Sequence, residues 1–311
     1  MKGMELSKLY YETYGKQMIQ DKFSSYVAEI AVGLVGEGSQ CFGFDDEYST
    51  DHDFGPDFCL WISKDIYDKI GFELQREYEK LPQSFMGYDN RNKIATDRTG
   101  VFEIESFYNK YTNCGSRPKD NVDWMKIPER FLSMATNGEV FTDLKREFSF
   151  ARENLLNFYP LDVLKKKLSA RLATMAQSGQ YNYPRCMKRY DSYAAYLACN
   201  EFVKNALSTI FLLNKKYMPF YKWSFKSADS LTKLAETVKK LKTLVLITDD
   251  YGNFNKKNEI IENICSDISK ELEKQAYCVS QSDFLESHAI QIMGTISDIR
   301  LRNLHIMADF D

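Results

Sequence analysis

From Ile127 onward the chain repeats apolar residues at helical spacing with hardly a break, and this pattern limits most what it can fold into. The periodicity runs through 127–136, 143–157, 161–177, 186–214, 227–246, 257–276 and 281–307. Turn residues interrupt it at Asn137-Gly138, Tyr159-Pro160, Ser178-Gly179 and near Tyr251-Gly252. Apolar residues at i, i+3, i+4 and i+7 form one stripe on a helix, and several such stripes bury one another as a bundle.

The front of the chain reads differently. Leu6, Leu9, Tyr10, Met18, Phe23, Tyr26, Val27 and Ile30 predict helix over 5–30. Ala31-Val32-Gly33-Leu34-Val35 is then a short apolar run closed by Gly36-Glu37-Gly38-Ser39, which predicts a buried strand entering a glycine turn. A second strand is expected from Asp51 to Ile62, with a bulge or edge at Gly55-Pro56 because proline cannot donate to a ladder. A helix is expected over 65–80, and a third strand from Thr99 to Ile104. The predicted fold class is an α+β N-terminal domain with a small mixed sheet over residues 1–126. An all-α helical-bundle domain over 127–311 follows it, with no sheet beyond about residue 125.

The 311 residues suit two domains. The longest apolar runs, such as Leu244–Ile247, are too short to span a bilayer, and no signal peptide is expected at the N-terminus. Seven cysteines, an odd number with no C-x-x-C pair, point away from disulfides and zinc ribbons and towards a cytoplasmic protein. Three histidines leave little for a histidine-rich metal centre, but carboxylates are plentiful. Residues 1–126 carry 15 lysines and arginines against 22 acids, and residues 127–311 carry 26 against 22. An acidic front and a mildly basic back suit metal-binding carboxylates in one domain and contacts to an anionic substrate in the other.

The chemistry concentrates in Gly38-Ser39 and, twelve residues after Ser39, Asp51-His52-Asp53. On a strand, i and i+2 share a face, so Asp51 and Asp53 would aim two carboxylates at one point while His52 points away, either to pack inside the sheet or to orient substrate. Parallel carboxylates stay ionised cheaply only beside a cation, and hard oxygen donors select Mg²⁺ or a similar ion such as Mn²⁺. Val101-Phe102-Glu103-Ile104-Glu105 offers a third acid; Glu103, inside the strand, is favoured over Glu105, which would cap or flank the next helix. The glycine turn lets backbone N–H groups approach a phosphate, and the Ser39 hydroxyl adds a hydrogen bond.

This combination resembles the nucleotidyltransferase superfamily, whose fold is that of DNA polymerase beta: a Gly-Ser turn, a gap of about a dozen residues, an acid-x-acid strand and a later single acid. His52 departs from the apolar residue usual there. The stretch Phe42–Pro56 also looks like a bacterial nucleotidyltransferase-like family of unknown function. Further segments share that likeness: Ile127-Pro128-Glu129, Ala135–Phe141, Tyr159-Pro160 and Tyr217–Trp223. The resemblance covers roughly residues 30–225. It implies transfer of a nucleoside monophosphate from a nucleoside triphosphate to an acceptor hydroxyl. Asp51, Asp53 and Glu103 would be the metal and catalytic set, and Gly38 and Ser39 would hold the triphosphate. The resemblance does not imply a particular acceptor: a small molecule such as an aminoglycoside-type antibiotic, a protein or an RNA end all remain open. The alternative is a non-catalytic nucleotide-binding or regulatory module, against which the intact acid set argues.

In the helical part, Gln180, Tyr181, Arg185 and Lys188 gather amide, phenol and cationic groups at an expected helix break, and Lys222 adjoins Trp223. These are the candidates for holding nucleotide or acceptor, and at least one of the two segments is expected to border the acidic pocket. Lys165-Lys166-Lys167 reads as a solvated helix face.

Overall fold

The computed structural model describes residues 1–50, 54–89, 97–279 and 282–309. The chain divides into two compact units. The first comprises Met1–Lys119 with Phe131–Asn157, and the second comprises Asp120–Arg130 with Phe158–Asp311.

In the first unit, helix α1 (Gly3–Tyr10) continues through a wide π-type turn at Tyr11–Gly15 into α2 (Lys16–Lys22). Strand β1 (Ala31–Leu34) leads to the short helix α3 (Ser39–Phe42), and strand β2 (Cys59–Ile62) follows. Helices α4 (Lys64–Ile66) and α5 (Phe72–Glu79) flank a second π-type turn; β3 (Ser84–Phe85) and β4 (Tyr88–Asp89) then form a hairpin. Strand β5 (Gly100–Glu103) runs directly into α6 (Ile104–Thr112). The main sheet has the order β5-β2-β1-β6, where β6 is Glu139–Thr142. β1 pairs antiparallel with β2 and β6, and β2 pairs parallel with β5, so the sheet is mixed. All four residues of β1 and all four of β2 are buried, as expected of strands covered on both faces.

β6 corrects the expectation that the sheet ends by residue 125. Glu139-Val140-Phe141-Thr142 pairs with β1 across a register shift at Val32/Gly33. The shift brings the Glu139 carbonyl so close to Gly33 that an added Cβ would lie 2.4 Å from it. The second strand is also shorter than expected: the ladder begins at Cys59, beyond Gly55-Pro56.

The remaining segment of this unit is α9 (Glu147–Leu156), whose Phe148 stacks on Trp61 of β2 with centroids 3.8 Å apart. That stacking and the β6 ladder explain why 131–157 belongs with the front residues rather than with the helices. The segment 120–130, containing α7 (Asn121–Met125), belongs with the second unit for equally local reasons. Trp124 meets the Tyr159 ring edge-on at 5.7 Å, and Asp120 pairs with Arg300 at 2.6 Å. Helix α8 (Glu129–Thr136) carries the chain from one segment to the next.

The second unit is helical: α10 (Leu161–Met175), α11 (Tyr183–Lys188), α12 (Ser192–Leu213), α13 (Tyr221–Ala228), α14 (Ala235–Leu246), α15 (Phe254–Lys274), α16 (Leu285–Gly294) and α17 (Ile299–Arg302). α15 is amphipathic, burying Ile261, Ile264, Cys265, Ile268 and Leu272. α12 ends in an unbroken buried run from Asn205 to Leu213, the mark of a central helix. Among the described residues no helix is long and apolar enough to cross a membrane, and the seven cysteines are free.

The triple lysine is not a solvated face. Lys166 and Lys167 are fully buried on α10. Lys166 Nζ donates to the carbonyls of Ile306 (2.9 Å) and Ala308 (2.7 Å), and Lys167 Nζ pairs with Asp309 at 2.9 Å. Arg171, one turn further on, shares Asp309 and also donates to Ser208 Oγ at 3.0 Å.

Two stability tests follow. Gly33→Ala should push β6 off β1 and lower unfolding free energy by about 1–3 kcal/mol, the usual cost of overpacking. Lys167→Met should cost about 2–3 kcal/mol in denaturant melts, since a buried ion pair loses one partner while Arg171 still holds Asp309; a solvated lysine would cost almost nothing.

Candidate functional site

The chain leaves β1 through Gly36, Glu37 and Gly38, and Ser39 opens α3. Gly38 has φ +101° and ψ 156°, a conformation that residues with a Cβ rarely adopt. The turn is held from outside by Asn137. Its side-chain oxygen accepts the Gly36 N–H at 2.9 Å, and its side-chain nitrogen donates to the Gly36 carbonyl at 2.8 Å. The next residue adds a third bond, Gly138 N–H to the Cys41 carbonyl, also 2.9 Å. Behind this clamp Arg152 donates to the carbonyls of Thr136 (2.8 Å), Asn137 (2.8 Å) and Gly138 (3.1 Å). Cys41, beside the turn, is buried, and burial pushes its thiol well above its ordinary range.

Two cations flank the turn. Arg98 Nε lies 3.4 Å and Lys110 Nζ 3.2 Å from the Glu37 carboxylate. The Arg98 guanidinium also comes within 3.9 Å of where a Gly38 Cβ would sit. Lys110 binds Asp97 as well, at 2.9 Å, and that hydrogen bond holds the Asp97 carboxyl below its usual range. Neither cation was identifiable from sequence spacing: Arg98 precedes β5 and Lys110 lies on α6, and only the fold brings both to Glu37.

Asp51, His52 and Asp53 lie outside the described residues. The described chain resumes at Phe54 and passes through Asp57, a buried carboxylate just before β2 that accepts from Thr99 Oγ1 at 3.3 Å. Burial first, and then the Asp57 charge, pushes the phenols of Tyr10 and Tyr78 up. Sequence reasoning had not singled out Asp57. Among the described residues, no three histidine, cysteine, aspartate or glutamate side chains gather as a metal site.

Glu103 stands at the end of β5, opposite Ile62 of β2. Its carboxylate caps α6, accepting the N–H groups of Glu105 (2.9 Å) and Ser106 (2.7 Å) together with the Ser106 hydroxyl. The capping expected of Glu105 therefore falls to Glu103. Glu105 instead ties down Ser116, accepting its N–H at 2.8 Å and its hydroxyl at 2.6 Å.

The candidates of the second unit separate into two kinds. Gln180 is held within the unit: its amide donates to Glu262 (2.7 Å) and to the Asp283 carbonyl (2.9 Å) and accepts the Leu285 N–H (2.9 Å). The expected helix break around it is a π-type turn, Ala176–Asn182, that joins α10 to α11. Tyr181 and Arg185 are exposed and stacked, with the guanidinium 4.7 Å from the ring centroid. Lys188 is exposed at the end of α11, and Lys222 on α13 sits 4.7 Å from the centre of the Trp223 ring.

Comparison with known proteins gives likenesses to a family and to solved structures. Residues 124–224 match a family described as Domain of unknown function (DUF4037). A nucleotidyltransferase-like protein from Exiguobacterium sibiricum aligns over 95% of this chain and 91% of its own, at 11% identity and a TM-score of 0.36. No curated protein matches the chain.

Asn137→Ala should loosen the turn. It removes two hydrogen bonds from buried backbone, about 1–3 kcal/mol, and hydrogen exchange at the Gly36 amide should accelerate while amides in α12 keep their protection.

Proposed function

We propose that the chain is a metal-dependent nucleotidyltransferase that moves a nucleoside monophosphate from a nucleoside triphosphate to an acceptor hydroxyl. The observation that carries this reading is the glycine turn. It leaves a buried strand with Gly38 at positive φ, is clamped by Asn137, and is flanked by Arg98 and Lys110. Backbone N–H groups in such a turn, with cations beside them, form a cradle for phosphate oxygens.

In this reading the Gly38 backbone and the Ser39 hydroxyl bind the terminal phosphates. Glu37 positions Arg98 and Lys110, whose charges offset those of the triphosphate. Asp51 and Asp53 would hold Mg²⁺ or Mn²⁺, which when bound supplies charge neutralisation at the reacting phosphate and the leaving pyrophosphate. An ionised carboxylate has about four acceptor sites, and three at Glu103 are taken by the cap. The remaining one suits Glu103 to take the proton of the acceptor hydroxyl or to complete the ion's ligands. The acceptor oxygen forms its bond to the α-phosphorus as the bond to pyrophosphate breaks. Tyr181 with Arg185, Lys188 and Lys222 supply stacking faces and cations for the nucleotide or for an acceptor that is a small molecule, a protein or an RNA.

A non-catalytic nucleotide-binding module is the second reading, and the capping bonds of Glu103 are what favour it. Each labelled nucleoside triphosphate, incubated with the protein, Mg²⁺ and a cell extract, separates the two. The enzyme should release pyrophosphate and label an acceptor. Asp51→Asn should then lower turnover by roughly a hundredfold, about 3 kcal/mol, at an unchanged melting temperature. Arg98→Ala should chiefly raise KM for the triphosphate. Nucleotide binding without pyrophosphate release selects the second reading, and absence of nucleotide binding removes both.

A further inference from the structure

The second unit contains a cavity of about 560 Å³, a size ordinary for small-molecule sites, and every residue lining it belongs to that unit. Its polar end is a buried chain of side chains. Arg171 Nε donates to Ser208 Oγ at 3.0 Å, and Ser208 Oγ donates to Glu129 at 2.7 Å. The Arg171 charge is met there by Glu129, 3.7 Å away, and by Asp309. The wall is apolar, built from residues such as Val203, Leu207, Met218 and Phe220. Arg130 and Lys204 add positive charge to the lining. Lys204 is exposed and has no hydrogen bond or ion pair among the described residues. Helix α13 starts in the same wall at Phe220–Tyr221 without a side-chain cap, so the positive end of its dipole adds to this charge.

We propose that this cavity binds a small organic anion, with an apolar body of about aromatic size against the wall and one carboxylate, sulfonate or phosphate head near Lys204. The neutralised Arg171–Ser208–Glu129 chain leaves no spare charge at the polar end. The anionic head is therefore matched by Lys204 and the start of α13, while Ser208 and Glu129 can serve only an uncharged polar group. A cationic ligand would meet the Lys204 ammonium and the start of α13 in the same lining. The site stands apart from the proposed transfer reaction: it uses none of the residues of the glycine turn.

The test uses two dyes of the same shape. The probe is 1-anilinonaphthalene-8-sulfonate, and its control is N-phenyl-1-naphthylamine, which lacks the sulfonate. The sulfonate dye should bind the folded full chain with one dye per chain, and the neutral dye at least about tenfold more weakly. Lys204→Glu should weaken sulfonate binding by about tenfold or more, while Lys204→Arg stays within roughly threefold of the parent. Ser224→Phe, which fills the cavity from α13, should abolish binding, with circular dichroism and the melting curve checked for an intact fold. Equal affinity for the two dyes, no effect of Lys204→Glu, or full binding to folded Ser224→Phe would each overturn the proposal. Should Ser224→Phe fail to fold, the Lys204 pair decides alone.

Discussion

The hydrogen bonds between the Asn137 side chain and the Gly36 backbone join residues 101 positions apart, and the front unit is organised around them. A strand that runs into a glycine turn leaves backbone donors and acceptors without ladder partners. Where water is excluded, each such group costs free energy comparable to a lost hydrogen bond. A primary amide carries a donor and an acceptor side by side, so one asparagine satisfies both groups of one peptide residue. Once Asn137 is fixed there, the chain leaving it lies along β1, and Glu139–Thr142 falls into register as β6. Gly33 makes that approach sterically possible, and Arg152 holds the carbonyls behind it. The turn at Gly38 is thus shaped by residues a hundred positions further along the chain.

This dependence explains what could and could not be read from sequence. β1 was legible because five apolar residues ending in Gly36-Glu37-Gly38 have few other outcomes. β5 was legible because Val101, Phe102 and Ile104 are β-branched or aromatic residues just after Gly100. β6 was not: four half-buried residues between two helical stretches carry too short an alternation to outweigh their surroundings. Its strand character comes from pairing with a segment over a hundred residues earlier. The same holds for Lys166 and Lys167. On a lone helix two adjacent lysines point to water; here the backbone carbonyls of 306 and 308 and the Asp309 carboxylate replace the water. The glycine turn at Gly38 was legible as a turn, whereas the bonds of Gln180 and the helix cap of Glu103 come from the folded chain. Arg98, Lys110 and Asp57 went unmarked because their roles arise from proximity alone.

The segments that carried the family resemblance acquire a physical meaning from these contacts. Asn137 and Gly138 form the clamp on the glycine turn. Glu129 closes the buried Arg171–Ser208 chain. Tyr159 packs edge-on against both Trp124 and Tyr217. Met218, Pro219, Phe220 and Tyr221 line the cavity of the second unit. Most of these residues lie within 124–224, the stretch matched by the family of unknown function. That stretch therefore spans a part of each unit and ends short of α14 to α17.

Substitutions at these positions and at the glycine turn act in different ways. A change at Asn137 acts on the glycine turn through backbone geometry, so its effect on any phosphate-dependent activity arrives together with a loss of stability. A change at Arg98 or Lys110 acts on charge at the same turn, and the exposed part of each side chain can be altered with little cost to the core. Changes at Lys204 or Ser224 act on a cavity built wholly from the second unit. Activity, stability and ligand binding measured on one variant of each kind therefore distinguish a residue that shapes a site from one that contacts what the site holds.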